Sequence, residues 1–472
     1  KKSNDAHLII LYLLGLSVLI FLSNVSSLFI GQGSSLIQII LLLPILDYRN
    51  INSRIISEWQ RNFPVNKHIQ MLTLLLLISL CVMHAWIINH PDTINYQNSL
   101  FEYSLFAKHP TGIIAQKNQY GYGGAWFSVA ALFSYHFALK KIITFVNISL
   151  VAITILYLTK KIDDAIFEKD WIKGLCYLSA LCIGTYEYTF FRLAITSVAP
   201  DTPAAIIGIF AVIYFLKPEC KGWILSLACI TAVTIKLSLG PILLLIPAHI
   251  LRTKQMKEGL IMILITILVS TPFIVKNILS TGYILYPYSN GRVTQQDFTP
   301  TKEQVEEEAD YIKAYARNVW TSRDPKDIKS IAQMDYKEWV PTWWQQQAWS
   351  SRIMMGGFIL FIGLAFVSDI RAKKINWIQT SLYATIFIGV VFWWTNAPAV
   401  RFGSAFLLAP IFYFINKNRS HNSIVTAQNS ALRVLFRVCL SLFIILTVCY
   451  LAYRIYYFCD AESILVPKGP LN

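Results

Sequence analysis

The chain has 472 residues, 55% of them hydrophobic and only 14% charged. Soluble domains carry about a quarter charged residues, so this composition excludes an ordinary soluble protein and indicates a membrane one. The formal net charge of +15 comes from Lys and Arg in short turns between apolar runs; no basic face is interleaved with aromatics, which argues against nucleic acid as a partner.

At about 20 residues per span, the apolar runs predict about thirteen transmembrane helices: 7–30, 34–47, 70–90, 141–160, 172–191, 202–217, 222–236, 238–251, 258–276, 353–368, 376–396, 402–416 and 433–456. The first run is too long for a signal peptide and reads as a span. The stretch 222–251 allows two short helices meeting at a kink near Gly240-Pro241. The expected class is an all-α membrane protein, divided into two N-terminal spans with a cytoplasmic loop (1–69), a transmembrane core (70–282), a soluble outer segment (283–352) and C-terminal spans (353–472). With the N-terminus inside, Arg49, Arg54, Arg61, Lys67, Lys160, Lys161, Lys169, Lys217, Lys221, Arg252, Lys254, Lys257, Arg371, Lys373, Lys374, Lys417 and Arg419 all fall on the cytoplasmic side. Eight scattered cysteines without a CxxC pair indicate neither a disulfide framework nor a zinc site.

The outer side carries the chemistry. Between the third and fourth runs lies NHPDTINYQNSLFEYSLFAKHPTGIIAQKNQYGYGGAW, from Asn89 to Trp126. A loop this long between spans is usually functional or folded in its own right. Ile94, Leu100, Phe101, Leu105 and Phe106 are spaced for one face of a short helix along the membrane surface, entered at Pro91-Asp92 and left at Pro110. Asp92 suits its N-cap, where a carboxylate accepts backbone N–H bonds. Farther on, TPTKEQVEEEADYIKAYARNVW reads as an amphipathic helix with acidic first turns, suited to the helix dipole. It leads into WVPTWWQQQAW, whose tryptophans suit anchoring at the membrane interface.

Ionisable residues recur at the outer ends of spans. Arg192 and Asp201 bracket FRLAITSVAPDTPAA, Lys236 lies in TAVTIKLSLGP, Lys276 in PFIVKNILSTGYILYP, and Arg401 in NAPAVRFGSAF. Charges within membrane helices are costly and line cavities or pair with one another, although each alone also fits snorkelling to the headgroups. Together, four cations and two carboxylates, Asp92 and Asp201, form a set able to hold a phosphate or pyrophosphate, leaving the acids for general-base work or metal.

These segments resemble, in order, the motifs of the GT-C superfamily of polytopic glycosyltransferases, which includes protein O-mannosyltransferases and the lipid A aminoarabinose transferase. DTINYQNSLFEYS is similar to the first-loop DE-x-x-Y-type motif, with Asp92 and Tyr96 in register and Thr93 at the second acidic position. APDTPAAIIGIFAVIYFL resembles the D-x-P segment (Asp201), SLACITAVTIKLSLGP the L-x-K hairpin (Lys236), PFIVKNILSTGYILYP a P-x-x-x-R-N stretch with Lys276 where Arg is common, and APAVRFGSAFLLAP the late P-x-x-R-[FY] motif (Arg401). The loop ending GYGGAWF and the WVPTWW segment are similar to a branch of bacterial surface-polysaccharide proteins.

The resemblance implies a GT-C-like bundle with surface helices in the first outer loop and a periplasm-facing site in the bacterial inner membrane. It implies a polyprenyl-phosphate sugar donor and a glycan, lipid or protein acceptor. Asp92 would take the acceptor proton, with Asp201 as second acid. Lys236, Arg401, Arg192 and Lys276 would bind the donor phosphate, and Tyr96, Glu102, His109 and Tyr286 would contact substrate. The absent second acid beside Asp92 leaves a divalent metal open. A polysaccharide polymerase or ligase using an undecaprenyl-diphosphate donor, and a lipid-linked sugar transporter, are the competing readings.

Overall fold

The computed structural model describes residues 7–32, 53, 56–58, 60–84, 92–106, 111–133, 144–186, 197–317, 325–371, 376–417 and 430–460. Its helices are α1 (His7–Ser26), α2 (Lys67–His84), α3 (Asn98–Phe106), α4 (Ala125–Leu132), α5 (Phe145–Phe167), α6 (Trp171–Tyr186), α7 (Asp201–Phe215), α8 (Gly222–Ile235), α9 (Leu245–Thr253), α10 (Met256–Thr281), α11 (Lys302–Arg317), α12 (Pro325–Gln333), α13 (Tyr336–Gln346), α14 (Trp349–Arg371), α15 (Trp377–Asn396), α16 (Val400–Lys417) and α17 (Ser430–Asp460). No strand occurs among the described residues, only an isolated bridge between Tyr283 and Arg292.

Six of these helices are long and apolar enough to cross a membrane, and a bent pair at 56–62 and 67–83 makes a seventh if counted as one span. That is fewer than thirteen. The expected span at 34–47 lies outside the described residues. The main difference is physical: 201–215, 222–235, 237–253 and 400–416 are apolar but short. At 1.5 Å per residue, α7 and α8 each rise about 20 Å, less than a ~30 Å hydrocarbon layer.

Helix α7 packs on α8 and α16, and every one of its residues is buried. It is hydrophobic all round because it touches protein all round. The outer helices differ. On α10, Leu260, Ile263, Leu264, Ile267 and Leu268 are exposed, as befits faces turned to lipid. These apolar, outward-facing helices make the chain a membrane protein.

The basic turns are tied together at one end of these helices. Arg252 donates to the carbonyls of Phe215 (2.9 Å) and Lys217 (3.3 Å), and Glu258 accepts the Gly222 N–H at 2.6 Å. Near them, Trp377 Nε1 donates to Ala248 O at 3.4 Å. The other ends carry the acids and cations: Asp201 heads α7, Lys236 follows α8, and Arg401 lies in the first turn of α16. The short helices therefore stop where the charged residues gather.

Two expectations are corrected. The 222–251 stretch divides where the runs 222–236 and 238–251 meet, so its kink falls at Lys236 and not near Gly240-Pro241: Lys236 is extended (φ −150°, ψ 117°), and a 3-10 segment, Leu237–Leu244, carries Pro241 within it. In the 89–126 loop a π-helix, Thr93–Gln97, runs into α3. Asp92 is helical there and makes no capping bond with its side chain. Leu100, Phe101 and Leu105 are buried as the spacing predicts, whereas Phe106 is exposed.

Candidate functional site

A cavity of about 230 Å³ lies at the ends of α7, α8 and α16, bounded by residues of the 89–126 loop and of α11. Asp92, Tyr96, Asp201, Lys236, Tyr286 and Arg401 all line it. Two ion pairs organise it. Arg401 Nη2 donates to Asp92 Oδ2 at 2.7 Å, and Lys236 Nζ donates to Asp201 Oδ1. Phe402 binds the pairs together, since the Lys236 ammonium stands 3.6 Å and the Arg401 guanidinium 4.9 Å from its ring centroid. A ring face attracts cations electrostatically, more so away from water.

Local structure explains each placement. Asp201 is in the first turn of α7, where a carboxylate meets the positive end of the helix dipole. The turn before it is held by Asn147, which donates to the carbonyls of Ser197 (3.1 Å) and Ala199 (3.3 Å) and accepts from the Trp126 indole at 2.7 Å. The turn before Arg401 is held by two other indoles. Trp343 Nε1 donates to Pro398 O at 3.0 Å, and Trp393 Nε1 to Ala399 O at 2.7 Å. Trp339 and Trp343 are interior residues, 0% and 2% exposed, whereas Trp344 and Trp349 of the same segment are exposed. Only the latter fit the expected interfacial anchoring.

The glycines of GYGG let backbone press close on both sides of the cavity. A Cβ on Gly121 would lie 2.6 Å from Tyr286 Cδ1, and one on Gly124 would lie 2.6 Å from Ile235 O, the residue before Lys236. Larger residues at either place would force the tyrosine or the lysine turn outward.

Of the other expected residues, two stand apart from this group and two lie outside the described residues. Lys276 does not line the cavity: Phe273 and Asn277 of α10 do, and Lys276, about 100° round the helix from Asn277, donates instead to Ser128 Oγ at 2.6 Å in the interior. Glu102 is exposed on α3, whose buried residues are Leu100, Phe101 and Leu105. Arg192 and His109 lie outside the described residues.

Other residues join the site without having been expected. Tyr122 lines the cavity between Tyr96 and Tyr286, its ring edge-on to Tyr96 at 5.7 Å and tilted to Tyr286 at 6.1 Å. Its hydroxyl donates to Glu308 Oε1. Burial pushes the Tyr122 phenol well above its usual range, and the Glu308 carboxylate beside it pushes the same way. Burial also raises Glu308, against the pull of the Tyr122 hydrogen bond. From the same helix Ile312 lines the cavity, and the Arg401 guanidinium stands 5.8 Å from the Tyr315 ring centroid. Val305, Glu308, Ile312 and Tyr315 repeat every three or four positions and share one face of α11, the face from which Ile312 lines the cavity. Glu308 is 4% exposed.

Asp92 and Asp201, the carboxylates at the cavity wall, are both engaged by cationic side chains. As arranged they are the partners of those cations; no group of three or more His, Cys, Asp or Glu gathers among the described residues. Chemically, the arrangement offers two cations to an incoming anion and two carboxylates that such an anion would release.

No curated protein and no solved structure matches the chain. One family model does, over residues 1–408, under the description "Domain of unknown function (DUF8201)". That match covers well over half of the 472 residues, and the chain belongs to this family.

Proposed function

We propose that this chain is an integral-membrane glycosyltransferase of GT-C type, moving a sugar from a polyprenyl-phosphate-linked donor to a hydroxyl on a glycan, lipid or protein acceptor. The reading places the cavity on the periplasmic side of a bacterial inner membrane, opposite the basic turns. The observation that carries it is the convergence of Asp92, Asp201, Lys236 and Arg401 on one cavity from four separate segments.

In this mechanism the donor phosphate displaces carboxylates from Lys236 and Arg401. Asp92, released from Arg401, accepts the proton of the acceptor hydroxyl. The acceptor oxygen bonds to the anomeric carbon as the bond from that carbon to the phosphate oxygen breaks, and the phosphate leaves carrying the electron pair. Cations fixed where this negative charge develops stabilise the transition state. Tying the base to the phosphate-binding arginine keeps it occupied until donor arrives.

The test is transfer from a polyprenyl-phosphate sugar by the purified full chain, compared with Asp92→Asn. The variant is expected to lose transfer at least 100-fold while still binding the lipid phosphate. Full activity in Asp92→Asn would remove the base assignment. Movement of the lipid-linked sugar across a vesicle membrane without release of polyprenyl phosphate would instead establish a transporter.

A further inference from the structure

The proposed reaction leaves open where the sugar itself sits. Lys236 and Arg401 are gathered at Phe402; the cavity also has an uncharged aromatic wall. Tyr96, Tyr122 and Tyr286 come from three separate elements, the π-helix, the turn before α4, and the segment after α10. All three rings line the cavity. Their contacts to one another are edge-on or tilted, which leaves ring surface to the cavity rather than sealing it in a stack. A pyranose carries its C–H bonds on one face and its hydroxyls at the rim, and the C–H face packs on aromatic rings as other apolar groups do.

The wall is built from behind. Gly121 admits the Tyr286 ring, since a Cβ there would also lie 2.9 Å from Ile114 Cδ1. Tyr122 is fixed by its hydroxyl to Glu308, a carboxylate 4% exposed and set beside Asn118 and Lys117. Burying a carboxylate is costly unless it is hydrogen-bonded. On an otherwise amphipathic helix, Glu308 is buried in the stripe of Val305, Ile312 and Tyr315, from which Ile312 lines the cavity, while Glu303, Glu306 and Glu307 are exposed.

We infer that the tyrosine wall is the seat of the transferred sugar ring, and that Glu308 is a positioning residue that holds the Tyr122 ring in it. This rests on the phosphate-binding reading of Lys236 and Arg401, and adds the carbohydrate side of the ligand to it.

The probes are farnesyl methyl phosphate, a diester without sugar, and the farnesyl phosphodiesters of glucose, galactose and mannose, titrated against the full chain in detergent. Wild type is expected to bind at least one sugar diester about tenfold more tightly than the sugarless one. Tyr122→Phe and Glu308→Leu should reduce that ratio to about one or two, with sugarless affinity held within twofold, which also shows that the variants are folded. Glu308→Gln should keep the ratio, because its amide oxygen still accepts from the Tyr122 hydroxyl. A ratio near one in wild type, or one that survives both Tyr122→Phe and Glu308→Leu, overturns the sugar seat and leaves the phosphate reading standing. Sugarless binding that is absent from wild type, or undiminished in Arg401→Gln, overturns the phosphate reading and this inference with it.

Discussion

Arg401 donates to Asp92 at 2.7 Å across 309 positions of chain, and the guanidinium that would hold a phosphate is thereby the one that holds the proposed base. Arg401→Gln is expected to lower transfer at least 100-fold, as removal of one transition-state donor typically does. Arg401→Lys keeps the charge but not the planar fork, and should recover only part of the rate. Steady-state transfer rates for the two variants check this; equal rates for Arg401→Lys and wild type would show that charge alone suffices.

The second pair is chiefly a matter of stability. The Asp201 side chain is 4% exposed and its Lys236 partner 18%. Lys236→Met strands a buried carboxylate at the head of the central helix, at a cost of about 3–5 kcal/mol. Asp201→Asn combined with Lys236→Met removes both charges and should regain most of that loss, while remaining inactive. Thermal unfolding of the single and double variants in detergent gives the coupling directly.

Neighbouring glycines offer a controlled comparison. A Cβ at Gly124 would lie 2.6 Å from Ile235 O, whereas one at Gly123 would find nothing closer than Tyr120 O at 3.7 Å. Gly124→Ala should destabilise the fold by about 1–3 kcal/mol and shift the Lys236 turn, weakening phosphate binding. Gly123→Ala should be near neutral in both. If the two variants behave alike, close approach of the loop to α8 is not what fixes Lys236.

Glu308 makes a prediction about pH. Burial holds its carboxyl above the ordinary value of 4.5, so in the interval just above 4.5 the folded protein binds more protons at this site than the unfolded chain. Stability from this group is complete below the ordinary value and falls as pH rises through the raised one. The melting temperature of wild type should therefore decline with pH in that interval relative to Glu308→Gln. Asp310, raised by its own burial, acts in the same direction in both proteins and cancels from the difference.

Much of the cavity was legible in the sequence. A charge among apolar residues must find a partner or a cavity, and for Asp92, Asp201, Lys236 and Arg401 that logic led to one place. It could not rank Lys276, because in a helix apolar on every side a single step of about 100° decides which wall a lysine faces. Nor could a local rule foresee that Asp92 would leave its own helix end for Arg401, a choice made by tertiary contact. Glu308 was hidden in an acidic run that resembles a solvated face. Its three-and-four spacing with Val305, Ile312 and Tyr315 was the available signal. The tryptophans of WVPTWW read as interfacial, although two of them are buried and one, Trp343, reaches a backbone carbonyl. The short spans have a related cause: helices ending at an internal cavity need not be as long as the bilayer is thick.

The distance in sequence between Asp92 and Arg401 also bears on how the molecule is made. At about 5–20 residues per second, the ribosome takes roughly 15–60 s to travel from one to the other. Throughout that interval the growing chain carries an early acid whose guanidinium mate has yet to be synthesised. The ion-paired cavity is thus among the last parts of the protein to assemble, and a truncated product ending before the final hairpins would insert its first helices yet leave that cavity incomplete.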